Sequence, residues 1–425
     1  MSAVVSARRR REVLHALRRG TVPHNGLDLL AVGLGKFEVA LDAELDSVRS
    51  GGAVFKAVRG EYGSGKTFFS RWLGERAKRL GMAVAEVQVS ETETPLHKLE
   101  TVYRRVCESL ETAEFPPSAF RPVLDAWLFA LESEGDSVDT LVDKRLADVS
   151  RTTPAFAAAL RAYRHAQLGG DEATAEGLVA WLGGQPHVAA SIRRTAGVRG
   201  DLDHFGAFGF LQGLLTVLRD SGHPGLLLIL DEVETLQRVR TDVREKALNA
   251  LRQLVDEVDG GRFPGLYLLI TGTPAFFDGT QGMQRLPPLA QRLATDFTAD
   301  AKFDNPRAVQ LRLSGFSPDL LREVGSTVRD LYAGGSDSAE RLHALVDDKY
   351  VATLASAVAG SLGGRVGVAP RVFLKKLVGD VLDRVDQFED FDPRRDYKLT
   401  VSSGELNDIE RNAAAGSNNV DDIEL

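Results

Sequence analysis

Cysteine is nearly absent: Cys107 is the single one in 425 residues. That excludes a disulfide framework and any cysteine-based zinc site. The eight histidines show no ligand spacing, so no transition-metal site is expected. No apolar run approaches the roughly 18 residues that a membrane helix needs. The opening stretch, MSAVVSARRRREV, has no apolar core behind its charges, so no secretory leader is expected and a cytoplasmic location follows. Basic charge is not in excess either. Lys and Arg number 52 against 60 Asp and Glu, a formal charge of −8. Contact with nucleic acid would need a local patch or a partner. No internal repeat of fixed period occurs.

What is present fits an ordinary globular chain. Hydrophobic residues make up 43% and charged residues 26%, which excludes a disordered or fibrous protein. The length suggests two to three domains. Residues 8–19 read as an amphipathic helix with Val13, Leu14 and Leu17 on one face. After the break at 20–26, residues 36–49 read as a second helix, with Phe37, Ala40, Leu41 and Leu45 together. Residues 53–58 read as a strand, 60–65 as a glycine-rich turn, and 66–80 as a helix closed by Gly81. A strand at 82–89 completes a βαβ unit and implies a parallel sheet. Two more buried strands are expected at 226–230 and 265–271, and a weaker one at 308–313.

Between the second and third strands the content is helical, so an insertion is expected at about 112–204. The chain is helical again from 316 to about 385. The expected division is a helical segment at 1–52 packing on the core, an α/β core at 53–315, a helical lid at 316–390, and an acidic, disordered tail at 391–425.

Gly60-Glu61-Tyr62-Gly63-Ser64-Gly65-Lys66-Thr67 fits G-x-x-x-x-G-K-[ST]. Glycines let the backbone wrap a phosphate with inward N–H groups, and the following helix offers its positive end to the same anion. Lys66 would reach the β- and γ-phosphates, and Thr67 would ligate Mg²⁺. Phe68 extends the candidate nucleotide-contacting set from Gly60 onward. The run Leu226–Leu230 ends in Asp231-Glu232. Ligands of parallel sheets sit at the carboxyl ends of strands. Asp231 would hold Mg²⁺ and Glu232 would polarise the attacking water. Loop and acidic strand end together point to hydrolysis of a nucleoside triphosphate. GTPases are disfavoured because no Asn-Lys-x-Asp occurs. A DEx[HD] helicase is disfavoured because Glu234 ends that tetrapeptide.

Further along, Thr271 or Thr273 would meet the attacking water or the γ-phosphate. Arg292, after a short helix, is a candidate finger for transferred charge, with Arg285 a weaker competitor. Gly367-Val368-Ala369-Pro370-Arg371 opens an expected helix at 372–385, and Arg371 would face the nucleotide from its first turn. Arg8–Arg11, and Arg193-Arg194 with Arg199, are small basic clusters that could touch DNA phosphates, though such runs are more often solvated helix faces. Cys107, Trp72 and Trp181 read as packed interior.

These pieces in this order resemble an AAA+ P-loop ATPase on the origin-recognition (Orc/Cdc6) and STAND side. The run Phe55–Phe69 (FKAVRGEYGSGKTFF) resembles the BrxD family of ATP-binding proteins from BREX phage-defence systems. So do Arg19–Pro23 (RGTVP), Glu91–His97 (ETETPLH) and Thr101–Arg105 (TVYRR). The resemblance covers most of residues 8–385. It implies an α/β AAA+ fold, ATP and Mg²⁺ as cofactors, and a role in defence against phage DNA. It also implies partners in the same system: a helicase, a methyltransferase and a phosphatase-like protein. Double-stranded DNA and an ATP-dependent homo-oligomer are further expected associations, and no membrane is. In AAA+ relatives an arginine follows the N-terminal Val-Gly; here Leu34 follows Val32-Gly33. A non-motor ATP-binding module, or a switch that oligomerises on ATP, are the alternatives.

Overall fold

The computed structural model describes residues 5–134, 137–362, 370–406 and 410–411. Five strands form one sheet: β1 Val54–Arg59, β2 Ala83–Gln88, β3 Leu226–Asp231, β4 Leu266–Gly272 and β5 Gln310–Arg312. Their order is β2-β3-β4-β1-β5. β2 pairs with β3 and β3 with β4 in parallel, with Gln88 opposite Asp231. Gly265 donates its N–H to the Gly52 carbonyl at 2.8 Å, so β4 and β1 start at the same edge of the sheet. This is an α/β fold built on one sheet with parallel neighbours. β3 and β4 are buried along their whole length. That explains their unbroken Leu/Ile character, because a strand covered on both faces has no solvent side on which to place polar residues.

The chain forms two compact units, and the sheet belongs to the larger, 40–58 with 76–311. Its core joins the strands to the helices Leu99–Ser109, His204–Asp220 and Thr241–Asp259 and to the insertion helices, the longest of which is Pro154–Leu168. Trp72 aside, the tryptophans expected inside are here: Trp181 is buried and donates its indole N–H to the Gly200 carbonyl at 3.0 Å. Cys107 is buried too, and burial pushes its thiol far up, so it is a packed, unreactive side chain. One lysine lies inside. Lys56 of β1 meets the Glu44 carboxylate at 2.6 Å and the Ala308 carbonyl at 2.7 Å, while Tyr267 donates to Glu44 at 2.6 Å. A buried charge is tolerated when its hydrogen bonds are met in this way.

The second unit combines 1–39, 59–75 and 312–425. Helix α1, Ala7–Arg19, has Ser6 accepting from the Arg9 amide at its start and Gly20 in the left-handed conformation (φ 69°) at its end. Its apolar face, Val13, Leu14 and Leu17, enters one core with Leu321, Val328, Val358 and Phe373 of the C-terminal helices. Arg18 clamps Asp383 with two 2.7 Å hydrogen bonds. The expected helix at 372–385 runs from Pro370 but is interrupted: Lys376–Leu382 adopts π geometry. The first part of the expected tail is packed. Phe391, Tyr397, Leu399 and Val401 lie against this core, and Leu406 is buried in it. Gly367–Ala369 and residues 412–425 lie outside the described residues.

Candidate functional site

The glycine-rich turn lies in the smaller unit. Gly63 and Gly65 both have positive φ (79° and 91°), a conformation in which a side chain is strained. A Cβ on Gly60 would collide with the Ser64 side chain, so the turn closes on itself tightly. Helix α3, Lys66–Arg79, starts where the turn ends. Its positive end therefore points at the concavity of the loop. Lys66 is 8% exposed; its ammonium donates to the Gly60 carbonyl at 3.0 Å and lies 5.0 Å from the Tyr62 ring centre. The Ser64 hydroxyl oxygen is buried and has no hydrogen-bond partner among the described residues. A buried polar atom without a partner is costly, and a phosphate oxygen would supply the missing bond. Glu61 is exposed and Thr67 half-buried. Phe68 packs against the apolar core of the unit.

The same unit lashes residues 20–30 onto α3. Glu75 accepts the amides of Gly26 and Leu27, the latter at 2.9 Å. Arg71 donates to the Val22 carbonyl at 3.3 Å. Beneath, Phe69 meets Phe37 edge-on at 5.7 Å and leans on Trp72 at 5.6 Å. A cleft of about 1100 Å³ opens between α1, the segment after it and the start of α3, with Thr67 at its wall.

The acidic strand end lies in the sheet unit. Asp231 is buried and accepts from the Thr271 hydroxyl of β4. The Glu232 amide donates to Asp231 Oδ1 at 3.1 Å and to Thr271 Oγ1 at 3.3 Å. Glu232 itself is left-handed (φ 61°), rare for a residue with a side chain. Such strain concentrates at functional positions. Gln88, at the end of β2, donates to Glu232 Oε2 at 2.8 Å. Thr273, two residues beyond Thr271, is buried. Asp231, Glu232 and Thr271 thus come together at the carboxyl ends of β3 and β4. Gln88 was missed, although it is the polar residue that closes β2. Arg244 was missed as well. It is 7% exposed and donates to the carbonyls of Leu236 (3.1 Å), Gln237 (2.8 Å) and Val239 (2.9 Å), fixing the turn that follows Glu232.

The arginines are held by carboxylates. Arg292, at the end of the helix Pro287–Arg292, is ion-paired with Asp256 and donates to the Pro288 carbonyl at 3.2 Å. Arg285 pairs with Glu245 at 2.9 Å. Arg371 is paired with the buried Glu410 and donates to the Glu405 carbonyl at 2.6 Å. Arg193 meets Asp201 at 3.5 Å.

Thr67 and Asp231 offer oxygen donors, which suit a hard cation such as Mg²⁺. Among the described residues, no helix is long and apolar enough to cross a membrane.

The sequence profile of one family, described as "BREX system ATP-binding protein BrxC/D", matches residues 5–401. No curated protein matches significantly. Among solved structures, the ORC2 protein of Aeropyrum pernix, determined as ADPNP-ADP complexes, is similar at 14% identity. Its TM-score is 0.35, with 81% of this chain and 67% of that chain covered.

Proposed function

The chain belongs to the family of BREX system ATP-binding proteins BrxC/D, and from that premise we propose that it binds and hydrolyses MgATP. The observation that carries this is the loop Gly60–Thr67, with its two left-handed glycines, buried Lys66 and unpartnered Ser64 hydroxyl at the start of α3. The triphosphate would sit in the loop. Lys66 would exchange the Gly60 carbonyl for the β- and γ-phosphates, and Ser64 would donate to a phosphate oxygen. Mg²⁺, held by Thr67 and Asp231, would neutralise charge on the triphosphate. Thr271 would fix Asp231, and Glu232 would take the proton of the attacking water. Arg292 and Arg371 are proposed to join only after leaving Asp256 and Glu410, which makes them responsive to a change of conformation. The nucleotide state would then act on DNA or on other proteins of the same defence system. In this reading 316–390 is the moving lid and 53–315 the ATPase core.

One observation favours a slower second reading. Glu232 is already engaged by Gln88, as expected of a resting module that uses ATP to fix a conformation. Steady-state ATP turnover, measured with and without DNA, tests the proposal. Turnover indistinguishable from a Glu232→Gln control under every condition would leave only the binding module.

A further inference from the structure

The cleft beside Thr67 is more basic than a nucleotide requires. On its α1 wall lie Arg8, Arg11, His15 and Arg19, at intervals of three and four residues and hence along one face of the helix. The stripe extends about 16 Å. Arg71 of α3 faces the same space. The acid among the lining residues, Glu12, is spent on Arg8 in an exposed pair at 2.9 Å, worth about 0–1 kcal/mol and easily exchanged. Arg11 donates only within its own helix, to the Ala7 carbonyl at 3.3 Å. Arg19 is exposed and makes no hydrogen bond or ion pair among the described residues.

A free nucleotide does not account for this. Its phosphates belong in the loop Gly60–Thr67, and a nucleoside carries no charge to set against three arginines in a row. A row of guanidinium groups answers a row of phosphates, which occur about once per 3.4 Å of helix axis along a duplex strand and less densely when the strand is extended. We propose that this cleft tracks the backbone of a single nucleic-acid strand. The cations form one row on one helix face, which a single phosphate backbone is enough to cover, and in this the cleft departs from the double-stranded DNA expected of a simple surface patch. No Phe, Tyr or Trp lines the cleft among the described residues. Base stacking is therefore minor and the binding independent of sequence. The inference rests on the reading of an ATPase that acts on DNA, and the experiment separates the two.

The full chain is titrated with a labelled oligothymidylate of roughly 20 nucleotides, followed by fluorescence anisotropy at several salt concentrations. Salt-dependent binding is expected. The variant Arg8→Ala/Arg11→Ala/Arg19→Ala should bind at least about tenfold more weakly, with a log–log salt slope shallower by about 2. It should bind a fluorescent ATP analogue as the wild type does. Lys66→Ala should do the reverse: lose ATP and keep the oligonucleotide. An unchanged affinity and slope in the triple variant would overturn the proposal. So would tenfold preference for duplex, or parallel loss of ATP and oligonucleotide in the triple variant. If Lys66→Ala retains ATP, the ATP reading falls while the cleft stands.

Discussion

The two compact units hold the two halves of the candidate chemistry by different means. In the sheet unit, Asp231 ends a strand whose every residue is buried, and its partner Thr271 ends the next. Apolar burial, at about 25 cal/mol per Å², fixes these carboxyl ends with no net charge to trade. In the other unit an apolar core also joins separated stretches of chain, but ion pairs between carboxylates and guanidinium groups tie them as well: Arg9 with Asp28, Arg18 with Asp383, Arg371 with Glu410. Such ties are exchangeable, because a phosphate can replace a carboxylate at nearly equal energy. The contrast teaches that the proposed metal and water chemistry would stand on buried strands, whereas the proposed anion capture would stand on a unit whose charges can be redirected.

The largest expected break in this contrast comes from the loop. Lys66→Ala should abolish ATP binding by calorimetry while leaving the melting temperature within a few degrees, because its ammonium bonds to carbonyls of its own loop rather than to a distant element. Next, Glu232→Gln should retain ATP but lower turnover about 10²–10⁴-fold. A normal rate would remove Glu232 from the mechanism. Leu228→Ala, in the middle of β3, should cost about 2–5 kcal/mol in urea unfolding, the price of a core cavity. A loss below 1 kcal/mol would mean that the strand is not the rigid support described. Arg18→Ala should cost only about 1 kcal/mol, since its pair with Asp383 is partly solvated. A loss as large as that of Leu228→Ala would erase the distinction between the units.

The smallest effect is one of pH. Glu405 is partly buried, which by itself would raise its pKa. The Lys376 ammonium at 2.9 Å and the Ser402 amide outweigh this and hold the carboxyl at about 2. Its contribution is therefore complete above the ordinary value of about 4.3 and is lost as pH falls through about 2. An NMR titration that finds the Glu405 midpoint near about 4.3 would show that residues 402–406 are not docked.

Much of the sheet unit was legible because its signals are local. A short continuous apolar run bounded by glycine and polar residues suits a strand buried on both faces, and β3 and β4 formed as read. The glycine spacing of 60–65 likewise dictates a phosphate-sized turn wherever it is placed. The interior Lys56, the grip of Gln88 on Glu232 and the carbonyl clamp of Arg244 were not legible. Each depends on partners distant in the chain, and a polar residue looks the same in sequence whether it faces water or a carbonyl.

The sequence by itself determined the strands, the glycine-rich turn and the two acids, because backbone conformation and apolar periodicity are properties of neighbouring residues. Tertiary structure alone decided which charges are spent and which are left to a ligand. Arg371 and Arg292 are matched by carboxylates 39 residues later and 36 residues earlier in the chain, whereas Arg19 lines an open cleft. Electrostatic energy depends on distance in space, which the order of residues does not fix.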